Sequence, residues 1–324
     1  MSHDQVVRQT HVRFDPARGM TRRDVLRWLP AASLAAGCLS WTDLMAAESR
    51  QLRRRGKACI LLWMQGGPSQ FETFSPLPGH VHGGGTQAIS SSVTGIQISE
   101  YLPSLAQAME ELCVIRSVTS KEGSHPRASF LLHTGYLPNP SVRHPSFGSN
   151  VAQQLGEATA ELPNFVRIGQ SGREGSGGGL LGVEWDPFVM TDPRRPPDNT
   201  EIRTDTRRFA RRLALTRRMN DRFANRGATR EAQDQEKLYD RAARMILSRD
   251  MNAFDLSQEP QKVRDAYGTS NFAAGCLLAR RLVEAGVTFV EVGLGNWDTH
   301  QDNSKQCQAL CGELDQPYAQ LLRD

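Results

Sequence analysis

Short continuous runs of apolar residues mark the strands that this sequence predicts. The runs cover residues 58–64, 113–118, 163–168 and 287–292, and the first is closed by a Gly-Gly-Pro turn. A run of this length bounded by turn residues is typical of a strand buried in a parallel sheet. The first run is therefore expected to be a buried strand that leads into a loop.

Helical spacing of apolar residues occurs between these runs. Residues 101–112 and 272–285 place leucines on one side of a helix, and Gly286 is positioned to end the second helix. A further helix is predicted after His300 and continues to Asp324. The alternation predicts an α/β fold, with a mostly parallel sheet flanked by helices.

A helical insertion rich in arginine is predicted at about residues 191–250. Apolar positions such as Leu213, Leu215 and Met219 make its first helix amphipathic. One interpretation is a solvated helical layer with ion pairs within each helix. The alternative is an arginine-lined anion site.

Residues 1–50 have the order of an export signal. Arg22 and Arg23 stand before a mostly apolar stretch, 28–47, that is interrupted by polar and proline residues. This order predicts a twin-arginine signal segment, export by the twin-arginine translocase, and a periplasmic or secreted protein. A basic tail followed by an amphipathic helix is the weaker alternative, and acylation of Cys38 would instead give a lipid anchor.

Composition narrows the function classes. Hydrophobic residues are 39% and charged residues 23%, which excludes a disordered chain. A mean hydropathy of −0.48 predicts no transmembrane span in the mature chain. The net charge of +4 is too small to indicate a nucleic-acid partner. Cys307 and Cys311 share a helix face and are interpreted as small buried residues.

Two predicted loops follow strands, where open α/β sheets bind their ligands. In the second loop, Asp298 and His300 are two residues apart and can point to the same side. A carboxylate with an imidazole suits Zn²⁺, Mn²⁺ or Fe. Equally, Asp298 could cap the following helix while His300 packs on Trp297.

The first loop offers the hydroxyl of Ser69 and the carboxylate of Glu72. Taken alone, this loop is better explained as a turn with a serine cap. His125 and His133 are eight residues apart on a predicted helix and can share a face. A single helical histidine is more often a structural residue than a ligand.

Several strings have the residues and the order of a known family. They are 63–70 with 72–74, 253–256, 278–287, and Asn296-Trp297-Asp298-Thr299-His300. Over residues 20 to 324 the chain resembles the bacterial family called domain of unknown function 1501. That family is similar to the alkaline phosphatase and sulfatase superfamily, so the resemblance implies an alkaline phosphatase-like domain over 51–324.

The resemblance also implies a function and roles for residues. It implies a hydrolase of phosphate or sulfate esters, with a small-molecule or polysaccharide substrate and a divalent metal (Zn, Mn or Fe). Asp298 and His300 would bind the metal, Glu72 would be a further ligand, and Ser69 would be the nucleophile or an oxyanion-side group.

The chain departs from the family pattern in four places. The superfamily has an aspartate at the end of its first strand, where Gln65 and Gly66 stand here, and the family commonly has aspartate in place of Glu72 and glycine in place of Gln301. A C-terminal Gly-Arg-Asp-His type motif is absent before Asp324, so the resemblance implies a domain incomplete at its C-terminus. The missing first-strand aspartate favours the alternative function, a non-catalytic exported binding or envelope protein that retains the fold, whereas the Asp298-Thr299-His300 loop favours the enzyme.

Overall fold

The computed structural model of the chain describes the following residues: 52, 55–169, 175, 177–200, 202 and 204–324. The predicted signal segment at 1–50, with Cys38, lies outside this part of the chain. None of the described helices combines the length and the apolar character that a membrane span needs.

The described residues form short strands and helices of very different lengths. The strands are β1 (Cys59–Met64), β2 (Ala88–Ser90), β3 (Gln97–Ser99), β4 (Phe165–Gly169), β5 (Phe188–Met190) and β6 (Phe289–Leu294). The α-helices are α1 (Pro103–Gln107), α2 (His125–Thr134), α3 (Phe147–Leu155), α4 (Thr206–Ala224), α5 (Thr229–Leu247), α6 (Gln261–Tyr267), α7 (Asn271–Glu284) and α8 (Asn303–Arg323).

The main sheet has the strand order β1-β6-β4-β5, and every neighbouring pair is parallel. Helices flank it, as predicted, and β2 and β3 form a separate antiparallel pair. Strand β6 is central and entirely buried. Its Val292 faces α7 and its Phe289 faces α3, because successive side chains of a strand point to opposite faces.

Close packing of α3 on the sheet depends on a glycine. A Cβ atom at Gly148 would lie 2.6 Å from the ring of Phe289 and 2.7 Å from that of Phe165. The two rings already meet edge to face, with centroids 4.9 Å apart. The missing side chain at Gly148 therefore lets the helix backbone approach the aromatic layer.

Three details of the predicted elements are wrong. Residues 113–118 form no strand: Ile115 and Val118 are exposed, and the segment crosses the surface, where Arg116 donates a hydrogen bond to the carbonyl of Gln97. Strand β1 is half-buried rather than buried, because it is an edge strand. The helix predicted at 101–112 is limited to α1 and a following 3-10 turn.

The arginine-rich segment contains the helices α4 and α5, so its helical character is confirmed. Its ion pairing differs from the interpretation of pairs within one helix. Arg217 of α4 reaches across to α5, with its Nη2 atom 2.6 Å from Asp240 Oδ1 and its Nε atom 3.9 Å from Glu236 Oε1. These contacts join the two helices to each other.

A buried carboxylate supports the start of α1. Asp315 of α8 is buried and accepts hydrogen bonds from the backbone N–H groups of Ser104 and Leu105, both at 2.8 Å. We expect Asp315→Asn to lose one charge-assisted bond and lower the free energy of unfolding by about 1.5–3 kcal/mol. Urea titration measures the free energy of unfolding, and Glu313→Gln on the same helix is the control. Equal losses in both variants would contradict this role.

An acid-sensitive ion pair joins α7 to the turn before α6. Arg281 Nη1 lies 2.6 Å from Glu259 Oε1, and Arg280 Nη2 lies 2.8 Å from Glu259 Oε2. Burial raises the pKa of Glu259, but the hydrogen bonds from Arg281 and Arg280 outweigh it and leave the pKa below 4.5. A carboxyl group with a lowered folded-state pKa stabilises the fold above its unfolded pKa, and loses that effect as the pH falls through the folded value.

We therefore expect the stability difference between the wild type and Glu259→Gln to be constant above pH 4.5 and to shrink below it. Urea titrations across a pH series that crosses this value measure the difference. Glu284→Gln, at a largely exposed site paired with the same Arg280, is the control and should show little pH dependence. A difference for Glu259→Gln that persists in acid would contradict the assignment.

Candidate metal centre

The candidate site lies where β1 and β6 end. These strands are adjacent and parallel, so the loops that follow them leave the same edge of the sheet. The Gln65 N–H donates to the Leu294 carbonyl at 3.0 Å, and the Trp297 N–H donates to the Gln65 carbonyl at 3.1 Å. The backbone thus links the two loops directly.

Gly66 allows the two loops to touch. Its φ of +121° lies in the region that favours glycine, and a Cβ atom there would be 2.4 Å from the Asp298 backbone nitrogen. It would also be 2.7 Å from the carbonyl carbon of Trp297, whose side chain is fully buried. Gly66 and Trp297 together fix the position from which Asp298 extends.

Three side chains converge beyond this contact. Asp298 Oδ1 lies 2.7 Å from His300 Nε2, and Asp298 Oδ2 lies 3.3 Å from Nε2 of His125, the first residue of α2. One ligand atom from each residue lies within 4.8 Å of the others. We refer to this group as the His–Asp cluster.

The His–Asp cluster is accessible to solvent and has the donor set of a metal site. The side chain of Asp298 is 48% exposed and that of His300 is 83% exposed. Two imidazoles and a carboxylate are donors that Zn²⁺ accepts, and three protein ligands leave a coordination position open. Donor atoms of a tetrahedral zinc site lie roughly 3.3 Å apart. Small rotations of these exposed side chains would bring their atoms to that spacing.

The structural alternatives for Asp298 and His300 are both wrong. The N-cap residue of α8 is Asp302, so Asp298 does not cap that helix. His300 is too exposed to pack on Trp297, which is fully buried. The spacing argument for a shared orientation of Asp298 and His300 is confirmed by their direct contact.

Ser69 and Glu72 do not join the His–Asp cluster. Ser69 Oγ accepts from the Phe71 N–H at 3.3 Å, and its carbonyl accepts from Thr73 Oγ1 at 2.8 Å, as in the turn interpretation. Glu72 is buried, and its Oε2 atom has no hydrogen-bond partner among the described residues. Its backbone carbonyl accepts a hydrogen bond from Cys311 Sγ at 3.5 Å, and its Oε1 atom lies beside Gly84.

Cys307 and Cys311 are free, buried thiols in the structure. Burial raises the pKa of Cys311 to about 12, with further contributions from Cys307, Asp315 and Glu72. Burial also raises the pKa of Cys307, so both groups are held as neutral thiols at physiological pH. This confirms their interpretation as small buried residues.

His125 is the ligand candidate that spacing alone misplaces. The sequence groups it with His133, but His133 is buried, with Nδ1 2.8 Å from the Ser129 carbonyl and its ring 4.1 Å from that of Trp63. Its Nε2 lies 3.5 Å from Glu291 Oε1 on the central strand. His125 therefore belongs to the His–Asp cluster, whereas His133 packs in the interior against the sheet. No local signal in the sequence pairs His125 with Asp298.

The fold and the His–Asp cluster define an α/β protein with two candidate metal ligands beyond the carboxyl end of β6 and a third from the start of α2. The chain belongs to the family described as "Protein of unknown function (DUF1501)", whose family model matches residues 56–324. No curated protein and no solved structure matches the chain significantly.

Proposed function

We propose that this protein is a metal-dependent hydrolase of phosphate or sulfate esters. The observation that carries the proposal is the convergence of His125, Asp298 and His300 at the strand ends. Residues from two separate segments meet there with their ligand atoms exposed, as a catalytic site requires. The substrate would be a small-molecule or polysaccharide ester that reaches the site from solvent.

The three side chains would hold one divalent cation, Zn²⁺, Mn²⁺ or Fe²⁺. His125 and His300 would contribute neutral imidazole nitrogens, and Asp298 would contribute a carboxylate oxygen. A bound cation supplies charge stabilisation for a phosphoryl or sulfuryl oxygen and lowers the pKa of bound water. Protons compete for the same imidazole nitrogens, so metal affinity should fall in acid.

The proposal includes an alkaline phosphatase-like core and export. Support for the core comes from the parallel sheet flanked by helices, with candidate ligands at the strand ends. Support for export by the twin-arginine translocase, to the periplasm or beyond, comes from Arg22 and Arg23 before the apolar stretch.

One observation favours the second candidate, a non-catalytic exported binding or envelope protein. The hydroxyl of Ser69 is engaged in its own turn, and Glu72 is buried outside the His–Asp cluster. Within the described residues, neither Ser69 nor Glu72 adds to the three ligands of the His–Asp cluster. Such a protein would use the metal for binding only.

The two candidate functions differ in whether the protein hydrolyses an ester. The full chain is equilibrated with Zn²⁺, Mn²⁺ or Fe²⁺ and assayed with p-nitrophenyl phosphate and p-nitrophenyl sulfate. We expect hydrolysis of at least one ester, loss of activity with a chelator, and loss in His125→Ala/His300→Ala. The control is His80→Ala/His82→Ala, an exposed histidine pair whose ring centroids lie 5.4 Å apart. Bound metal without turnover of either ester would contradict the hydrolase and favour the binding protein.

A further inference from the structure

An apolar row runs along the exposed side of α4. Leu215, Met219 and Phe223 are 58%, 62% and 53% exposed. Their spacing of four residues places them next to one another on one helix face. We refer to them as the α4 row. Single exposed apolar residues are ordinary, but a contiguous row is typical of a contact surface.

The packing of α4 on α5 leaves the α4 row exposed to solvent. The least exposed residue of α4 is Asn220, which lies on the face that packs on α5. Helix α5 in turn contacts the 3-10 turn Val183–Trp185, where Lys237 Nζ lies 3.0 Å from Glu184 Oε1. Helix α4 is thus the outer member of the pair, and the α4 row is not needed to hold the pair together.

Arginines surround the α4 row. Exposed arginines stand three or four residues from its members: Arg211, Arg212, Arg218 and Arg222. Asp221 is the one acidic residue of α4. Arg217, on the other side, is the arginine that pairs with Asp240 of α5. Within the described residues none of these four arginines forms an ion pair, so their positive charge is available to a partner.

We propose that α4 is an interfacial helix that binds the surface of an anionic phospholipid membrane. Its guanidinium groups complement lipid phosphates, and the α4 row inserts among the acyl chains near the headgroups. Long arginine side chains can lie along the apolar surface while their charged ends stay with the phosphates. A nucleic acid would satisfy the arginines but would leave the apolar row without a function.

Hydrogen–deuterium exchange of the full chain gives a reading local to α4, independent of any binding by the N-terminal segment. We expect exchange in residues 206–224 to slow several-fold with phosphatidylglycerol vesicles and to stay unchanged with phosphatidylcholine vesicles. Polyglutamate is the third probe. Equal protection by polyglutamate would overturn the membrane proposal in favour of an acidic polypeptide, and no protection by anionic vesicles would overturn it outright.

Substitutions separate the apolar and charged contributions. Glutamine at all three positions of the α4 row (Leu215→Gln, Met219→Gln and Phe223→Gln) keeps a good helix former and should abolish the protection. Ile115→Gln/Val118→Gln removes exposed apolar side chains elsewhere and should keep it. Arg211→Gln should weaken vesicle binding about fivefold at low salt. Protection that survives in the triple variant would overturn the proposal.

Discussion

Gly66→Ala is expected to destabilise the fold and to displace Asp298 at the same time. The new Cβ atom would lie 2.4 Å from the Asp298 backbone nitrogen, a distance that requires the backbone to move. Backbone strain at positive φ and overpacking together should lower the free energy of unfolding by about 3 kcal/mol or more. Urea titration measures the stability, and calorimetric titration with Zn²⁺ measures the loss of metal affinity.

Gly67→Ala is a matched control for this substitution. Gly67 also has a positive φ, +83°, but a Cβ atom there would have no neighbour within 4 Å. Alanine at this position should show only the strain of the backbone conformation, about 1 kcal/mol, and should keep its metal affinity. Equal losses for Gly66→Ala and Gly67→Ala would contradict a steric role for the contact with Asp298.

Asp298→Asn is expected to weaken metal binding at least about 100-fold. The substitution removes the one anionic ligand. In zinc sites, mutation of residues that only hydrogen-bond to the ligands already lowers metal affinity by about 10–100-fold. Since Asp298 is half-exposed, the free energy of unfolding should change by no more than about 0.5 kcal/mol. Calorimetric titration with Zn²⁺ and urea titration of the same preparation measure the two effects.

Asp302→Asn gives the corresponding control. Asp302 is exposed, close in the chain, and makes no side-chain cap of α8. Its left-handed backbone conformation, φ +47°, is one that asparagine tolerates. We expect near wild-type affinity for this variant. A similar loss in both variants would indicate a general effect of surface charge and would contradict coordination by Asp298.

The sequence predicted the interior of the fold better than its edges. The runs that became β4 and β6 are buried on both faces, so continuous apolar residues identified them correctly. Residues 113–118 look the same in sequence but cross the surface. Ile115 and Val118 are exposed there, so the apolar side chains of this run are not buried against the sheet, and a local pattern does not reveal that. Strand β5 was missed because three residues are too short for a periodic signal.

The candidate site was predictable only in part. Asp298 and His300 are close in the chain, so spacing could bring them together. His125 meets them through the packing of α2 against the sheet, which no local pattern encodes. Glu72 and Ser69 follow the adjacent strand, as the sequence indicated, but Ser69 is engaged in its own turn and Glu72 is buried, so neither joins the His–Asp cluster.

Metal content of the purified full chain tests the central claim most directly. After equilibration with Zn²⁺, Mn²⁺ or Fe²⁺ and removal of the excess, plasma mass spectrometry should find one equivalent of metal per chain. The same measurement on a variant with alanine at positions 125, 298 and 300 should find none, while His80→Ala/His82→Ala retains it. A folded wild-type chain that holds no metal, or a triple variant that holds as much as the wild type, would contradict the His–Asp cluster as a metal centre.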